Sequence, residues 1–344
     1  MSSPVSSGHG LLKIDLHKQR NKVNEIALGS SANVFSEKLH EWAAKDARVC
    51  YVGVDTMDSE FERKYPDRAF DVGIAEQSEL ALATGLALSG LIPIIQGWSP
   101  FTPLRNFDQL RTYLCRHRCN AKIISWTLGL ANCSHGTTHH DLESVALYRV
   151  VPNLTVLSAF DDAQFRQAFD AAMTINGPVA LLGCPEHYAP GADGLMDPEL
   201  PPHPEYVVGQ SQWLRRGTDA TIVTYGSAIR YAWKAAKALD ADGINVGMIH
   251  TTAIKPFDSK IIEEAARESG ALLTVEEQSI VGGVGSAVAE VLAEHCPGVP
   301  MIRMGINDVF VEDVGDWTYT RQAVGLTDHE VVRRVHELIN QKQP

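Results

Sequence analysis

No apolar run in this 344-residue sequence reaches membrane-spanning length. Positive charge is the scarcer sign, with 30 Lys and Arg against 42 Asp and Glu, a net charge of −12. That balance speaks against nucleic acid as a partner. Cysteine is sparse too, and Cys50, Cys115, Cys119, Cys133, Cys184 and Cys296 show no paired disulfide spacing. A chain of this length needs no covalent staples. Cys115 and Cys119 flank His117, a spacing that allows a metal, but Arg111, Arg116 and Arg118 surround them, and thiols on an amphipathic helix are the plainer reading. The stretch Met1 to Gly10 lacks the apolar centre of a signal peptide, so the expected location is cytoplasmic. A full dinucleotide fingerprint is missing as well. Gly282-Gly283-Val284-Gly285-Ser286 opens a helix after a strand and reads either as a phosphate cradle or, more simply, as tight helix–strand packing.

What is present is the composition of a globular protein, 44% hydrophobic and 21% charged, long enough for two domains. Residues 1–24 read as a polar, flexible arm. A helix is expected over 25–46, with Phe35, Leu39 and Trp42 at helical spacing. Strands are expected at Arg48–Val54, Ile92–Gln96, Ala121–Thr127, Thr155–Leu157 and Val179–Gly183. Helices fall between them, at 80–88, Arg105–Arg118, Asp141–Arg149 and 161–175. The alternation predicts an α/β fold with a mostly parallel, doubly wound sheet spanning 25–184, its ligands held at the C-terminal strand ends. Residues 185–217 break the pattern with six prolines between Pro185 and Pro204 and read as a linker. A second doubly wound unit follows over 218–344. Its strands are expected at Thr221–Tyr225, Val246–Ile249, Leu272–Val275 and Met301–Met304, and its helices near 228–239, 258–269, 284–295 and 329–341.

The stretch Pro66 to Gln77 stands out. A short β-like run reaches Gly73, and Glu76 then opens an Ala/Leu-rich segment. A carboxylate at a helix N-terminus in apolar surroundings suits proton transfer. The plainer reading is a first-turn glutamate favoured by the helix dipole. His135, His139 and His140 form a second cluster. No carboxylate or cysteine near them completes a preferred metal geometry, so no metal ligand is assigned. Asp55, at a strand end, reads equally as a turn residue or a pocket residue.

These stretches together resemble the C-terminal half of a transketolase. Pro66-Asp67-Arg68 with Gly73-Ile74-Ala75-Glu76-Gln77 matches the family's pyrimidine-domain signature. Arg105-Asn106-Phe107-Asp108-Gln109-Leu110-Arg111 matches the helix after it, and Thr138-His139-His140-Asp141-Leu142-Glu143 the Thr-His loop. Ile254-Lys255-Pro256-Phe257-Asp258 and Val275-Glu276-Glu277 with the glycine run at 282–286 match the C-terminal domain. The resemblance implies two α/β domains, a pyrimidine-binding domain and a transketolase C-terminal domain, and thiamine diphosphate as cofactor. It makes Glu76 the group that bonds the aminopyrimidine and favours its imino form. Phe101 and Trp98 become walls for that ring, Asp55 a shaper of the pocket, and His139 the histidine that faces substrate.

One family motif has no counterpart here. The Gly-Asp-Gly stretch and later asparagine that hold the diphosphate through a metal are absent, Gly315-Asp316-Trp317 being the nearest sequence. The chain therefore looks like one half of a split transketolase. Magnesium or calcium would be held mainly by an N-terminal partner subunit, in an assembly of two plus two chains. Two departures bear on the sugar substrates. Cys184 stands where phosphosugar enzymes carry an arginine, and His135 replaces the usual aspartate, while Arg105 offers an anion contact. The implied activity is transfer of a two-carbon ketol group from a ketose to an aldehyde. The alternatives are a β subunit of a 2-oxoacid dehydrogenase, an enzyme like deoxyxylulose-phosphate synthase, or a non-catalytic scaffold subunit. Thr138-His139-His140 disfavours the dehydrogenase, and intact Glu76, Phe101 and His139 disfavour the scaffold.

Overall fold

The computed structural model describes residues 30–55, 57–183, 200 and 204–342, with backbone alone for 30–33. Residues 1–24, Cys184 and most of the expected linker lie outside the described residues. The first unit contains strands β1 (Val49–Gly53), β2 (Ala69–Asp71), β3 (Ile92–Trp98), β4 (Lys122–Trp126), β5 (Thr155–Ser158) and β6 (Val179–Leu182). Its helices are α1 (Ser30–Lys45), α2 (Ser59–Lys64), α3 (Glu76–Leu88), α4 (Phe101–Leu104), α5 (Ser144–Val150) and α6 (Asp162–Thr174). Every residue of β1, β4 and β6 is buried, as expected of parallel strands covered on both faces. α6 starts where Asp161 accepts the Gln164 amide at 2.7 Å.

The second unit contributes β7 (Gln212–Arg215), β8 (Ala220–Thr224), β9 (Val246–His250), β10 (Ala253–Lys255), β11 (Leu272–Ser279) and β12 (Met301–Ile306). Its helices are α7 (Ile229–Ala241), α8 (Ser259–Ser269), α9 (Val284–His295), α10 (Trp317–Ala323) and α11 (Asp328–Ile339). The second sheet runs β12-β11-β8-β9-β7, parallel except for β7. The first runs β10-β5-β6-β4-β3-β1-β2. Its last strand is borrowed: β10 crosses from the second unit and pairs antiparallel with β5, Ala253 opposite Leu157. One apolar cluster accordingly spans both units, from Val52 and Leu80 through Leu128 and Tyr148 to Ile254 and Ile261.

Both doubly wound units stand as expected, but the short helices α2, α4 and α10 are additions, and four other elements depart from expectation. Gln212–Arg215, placed within the linker, is an edge strand of the second sheet. Four residues are too few to show a period of two, and the buried Gln212 is polar. β10, at three residues, is shorter still. The helix expected at Arg105–Arg118 is instead mostly a π-helical segment, Gln109–Cys115, and α4 lies just ahead of it. The helix expected from Asp141 starts at Ser144, because the Asp141 carboxylate accepts the Ser144 amide at 3.2 Å ahead of the first turn.

Strand order in the first sheet reverses at β1, which has β2 on one side and β3 on the other. That switch point leaves a crevice beyond the strand ends.

Candidate active site

A cavity of about 360 Å³ opens there, lined by Val54, Asp55, Ile74, Glu76, Trp98, Phe101, Arg105 and His139. Four separate connections supply these side chains. Asp55 follows β1 in a left-handed conformation, φ 58°, which Asp tolerates better than most residues. The turn after β2 requires Gly73 at φ +66° and is tied by Asp71, whose Oδ1 accepts the amides of Gly73 at 2.8 Å and Asp55 at 3.1 Å. Glu76 then begins α3. After β3 the chain folds back so closely that a Cβ on Gly97 would come within 2.5 Å of Thr102 Oγ1. This sets Trp98 and Phe101 as one wall. The loop after β4 brings His139.

Glu76 is 3% exposed, and its Oε1 accepts Arg105 Nη1 at 2.8 Å. The apolar setting expected of this carboxylate therefore includes a cation. Asn106 bonds the Glu76 carbonyl at 3.2 Å and Thr102 Oγ1 at 3.3 Å, linking the start of α3 to the wall. One turn along α3, Glu79 is fully buried, and neither carboxyl oxygen has a hydrogen-bond partner among the described residues. Burial, and then the nearby Glu76, hold its proton affinity well above the ordinary carboxyl value.

His139 packs edge-on against Phe101, ring centres 5.0 Å apart, and lies 5.1 Å from the His135 ring. Its Nδ1 is 2.9 Å from Thr138 Oγ1. Burial, reinforced by His135, His140 and Arg105, lowers its pKa, so the ring is neutral at pH 7. His135 lies 6.3 Å from the Trp98 ring, at the edge of the site. His140 turns away: it is buried and directed at the Val311 carbonyl, 3.2 Å off. Six of the residues singled out in the sequence thus share one cavity, and His135 borders it. Cys184 lies outside the described residues. Among those residues no group of three His, Cys, Asp or Glu is arranged to hold a metal.

Sequence reasoning missed Ile74, Asp71 and Asn106. Ile74 is 76% exposed beside the cavity, an apolar surface residue inside a motif otherwise read for its glutamate. It also missed how the histidine loop is held. Residues of β11 bond that region in succession: Glu277 accepts the Leu130 amide at 3.4 Å, Gln278 bonds the Asp141 carbonyl, and Ser279 donates to Leu142 at 2.8 Å. Thr137 adds a 2.8 Å bond to the Val311 carbonyl. Glu277 is fixed by a buried ion pair with Arg321, whose guanidinium lies 3.0 Å over the Trp317 ring. The bonds that hold the loop directly join residues more than a hundred positions apart, and the Glu277–Arg321 pair spans 44, separations that no local pattern reveals.

Comparison with known proteins agrees with this geometry. The transketolase pyrimidine-binding domain family matches residues 30–188, and the transketolase C-terminal domain family matches 209–330. The 6-deoxy-6-sulfo-D-fructose transketolase subunit SqwH of Clostridium sp. (strain MSTE9) is 35% identical over 316 residues, covering 90% of this chain and 94% of that one. The chain belongs to the transketolase family. A structure described as a split gene transketolase, an inactive beta4 tetramer, superposes with a TM-score of 0.78 at 32% identity, covering 91% of this chain and 99% of that one. The transketolase of Campylobacter jejuni shares the fold at TM-score 0.69 and 15% identity, with 51% of its length covered. The 1-deoxy-D-xylulose-5-phosphate synthase of Shouchella clausii (strain KSM-K16) is 35% identical over 320 residues, 91% of this chain. The chain spans about half the length of that synthase. Near-complete coverage of a split transketolase and of a separate transketolase subunit favours the reading as a split transketolase β subunit over the synthase alternative.

Proposed function

We propose that the chain is the pyrimidine-binding half of a two-subunit transketolase that moves a two-carbon ketol group from a ketose to an aldehyde. The observation that carries this reading is the convergence of Glu76, Phe101, Trp98 and His139 on one cavity at the switch point of the first sheet. The residues fit an aminopyrimidine. A buried carboxylate lies at the cavity, a flat aromatic face stands beside it, and the pocket volume suits a small heterocycle. Thiamine diphosphate, when bound, supplies the carbanion chemistry that makes and breaks a carbon–carbon bond next to a carbonyl.

This chain's own residues then divide the work. Glu76 would hold or release a proton at a carboxyl oxygen, in a setting closed enough to make that exchange selective. Phe101 and Trp98 orient the ring and exclude water. Asp55 shapes the entrance. His139, neutral at pH 7, takes or gives protons at sugar oxygens, with His135 beside it. The diphosphate and its magnesium or calcium belong to a partner subunit in a two-plus-two assembly, because this sequence carries no Gly-Asp-Gly motif. The work is cytoplasmic. For the donor we propose a ketose ending in an anion other than phosphate. Cys184 offers no bidentate grip, and the Clostridium relative is named for a sulfonated ketose.

The test is to assemble the chain with a diphosphate-binding partner, thiamine diphosphate and magnesium, and to compare 6-deoxy-6-sulfo-D-fructose with fructose 6-phosphate as donors to an aldehyde. Ketol transfer that prefers the sulfonate is expected. Preference for the phosphate would overturn the donor assignment. Release of carbon dioxide from pyruvate without ketol transfer would overturn the reaction class.

A further inference from the structure

Arg105 occupies two places at once. Its Nη1 donates to Glu76 Oε1 at 2.8 Å, and its guanidinium carbon lies 4.5 Å over the Phe101 ring centre. A guanidinium is a flat group with N–H donors in its plane, able to stack on an aromatic face. An aminopyrimidine is also a flat ring with N–H at its edge. The two contacts that the proposed function gives to that ring, a hydrogen bond to Glu76 and a face against Phe101, are the two that Arg105 makes.

The partners differ in how freely they can move. Glu76 is 3% exposed and its backbone is tied through Asn106, whereas the Arg105 side chain is 49% exposed. The Arg105 backbone is held, its amide bonding the Phe101 carbonyl at 3.0 Å and its carbonyl accepting Gln77 Nε2 at 3.2 Å. Only the side chain has to swing. Glu76 cannot be left alone, because a buried carboxylate without a donor is costly. The contact is therefore built for exchange of one donor for another. A guanidinium released at the rim, beside His139 and Trp98, is then placed to meet an anionic group.

We propose that Arg105 competes with the cofactor ring for Glu76 and Phe101, and that binding of the ring frees its guanidinium to hold the anionic group of the sugar. The inference rests on the reading given under Proposed function. It makes cofactor binding and charged-substrate binding sequential: the second anion contact exists only after the first ligand has displaced the arginine.

The test uses the chain assembled with its diphosphate-binding partner. Thiamine diphosphate with magnesium is titrated calorimetrically into wild type, Arg105→Met, which keeps the apolar stem, and Arg105→Lys, which keeps the charge but not the flat fork. Removing a competitor of this strength should tighten cofactor binding about three- to tenfold in the Met variant, with the Lys variant between. The KM of an anionic ketose should rise about tenfold or more in the Met variant, while that of uncharged erythrulose stays within about twofold. If wild type binds no thiamine diphosphate, the functional reading falls and this inference with it. If wild type binds and the Met variant binds equally or more weakly, the competition alone is wrong. Equal changes in KM for charged and uncharged ketoses would remove the second role of the arginine.

Discussion

Two buried carboxylates, one in each unit, do different things. Glu76 opens α3 beyond β2, and Glu276 sits on β11 just before α9. Each is within a few per cent of complete burial. Glu276 spends both oxygens on the helix it precedes, accepting the amides of Val284 at 2.9 Å and Gly285 at 2.8 Å. The glycine run that resembled a phosphate cradle is therefore filled from inside, and a Cβ on Gly283 would lie 2.3 Å from Glu276 Oε2. Glu76 takes its donor from a half-exposed side chain at the edge of a cavity. A carboxylate satisfied by backbone amides is structural. One satisfied by a movable side chain beside a pocket is available for chemistry. Burial is the same in both, so burial alone does not distinguish them.

The comparison breaks most sharply at Glu76. Glu76→Gln in the assembled enzyme should slow exchange of the cofactor's thiazolium proton by about a hundredfold or more. Proton NMR after mixing with deuterated buffer measures the rate. Exchange at the wild-type rate would make Glu76 as structural as its counterpart.

In the second unit the largest loss should be of stability. Arg321→Met strands Glu277, a buried partner whose side chain is 4% exposed, and should cost about 3–5 kcal/mol. Urea unfolding of the chain measures it. A loss below about 1 kcal/mol would mean that the clamp on the histidine loop does not depend on this pair.

Glu276 gives the contrast a pH dependence. Burial outweighs its two amide donors and pushes its pKa up from 4.5 to about 7. Between those values the unfolded chain has released this proton while the folded chain keeps it. The stability it contributes is thus fully present below about pH 4.5 and is lost as pH rises through about 7. Asp141, pushed up to about 7 by burial, acts with the same sign. Glu276→Gln cannot ionise and should flatten part of the fall in urea midpoint between pH 5 and pH 7, windows taken from those shifts. An unchanged slope would show that Glu276 is ionised throughout.

The smallest effect is expected where the second unit touches the loop from outside. Thr137→Val loses the bond to the Val311 carbonyl, 2.8 Å long and only partly buried. It should cost about 1 kcal/mol by urea unfolding. A loss as large as that of Arg321→Met would move the weight of the clamp to residues 311–315.

Much of this molecule was legible from particular residues. The apolar runs of β1 and β6 and their alternation with helices declared a parallel sheet, and Asp161, Asp258 and Thr327 cap helices close to the expected starts. Glu76, Phe101, Trp98 and His139 could be picked out because each sits in a motif at a strand end. Short elements were not legible. β7 and β10 have four and three residues, and their existence depends on an edge provided by other strands.

By itself, then, the sequence determined most of the longer strands and helices and which loops bring candidate site residues, because those are matters of periodicity, capping and residue type within a dozen positions. The tertiary structure alone decided partnership. It gave Glu76 to Arg105, 29 positions away, Glu277 to Arg321, and the histidine loop to β11, 147 positions from Leu130 to Glu277. The physical reason is that the role of a buried charge depends on which donor reaches it, and that donor is brought by packing rather than by neighbourhood in the chain.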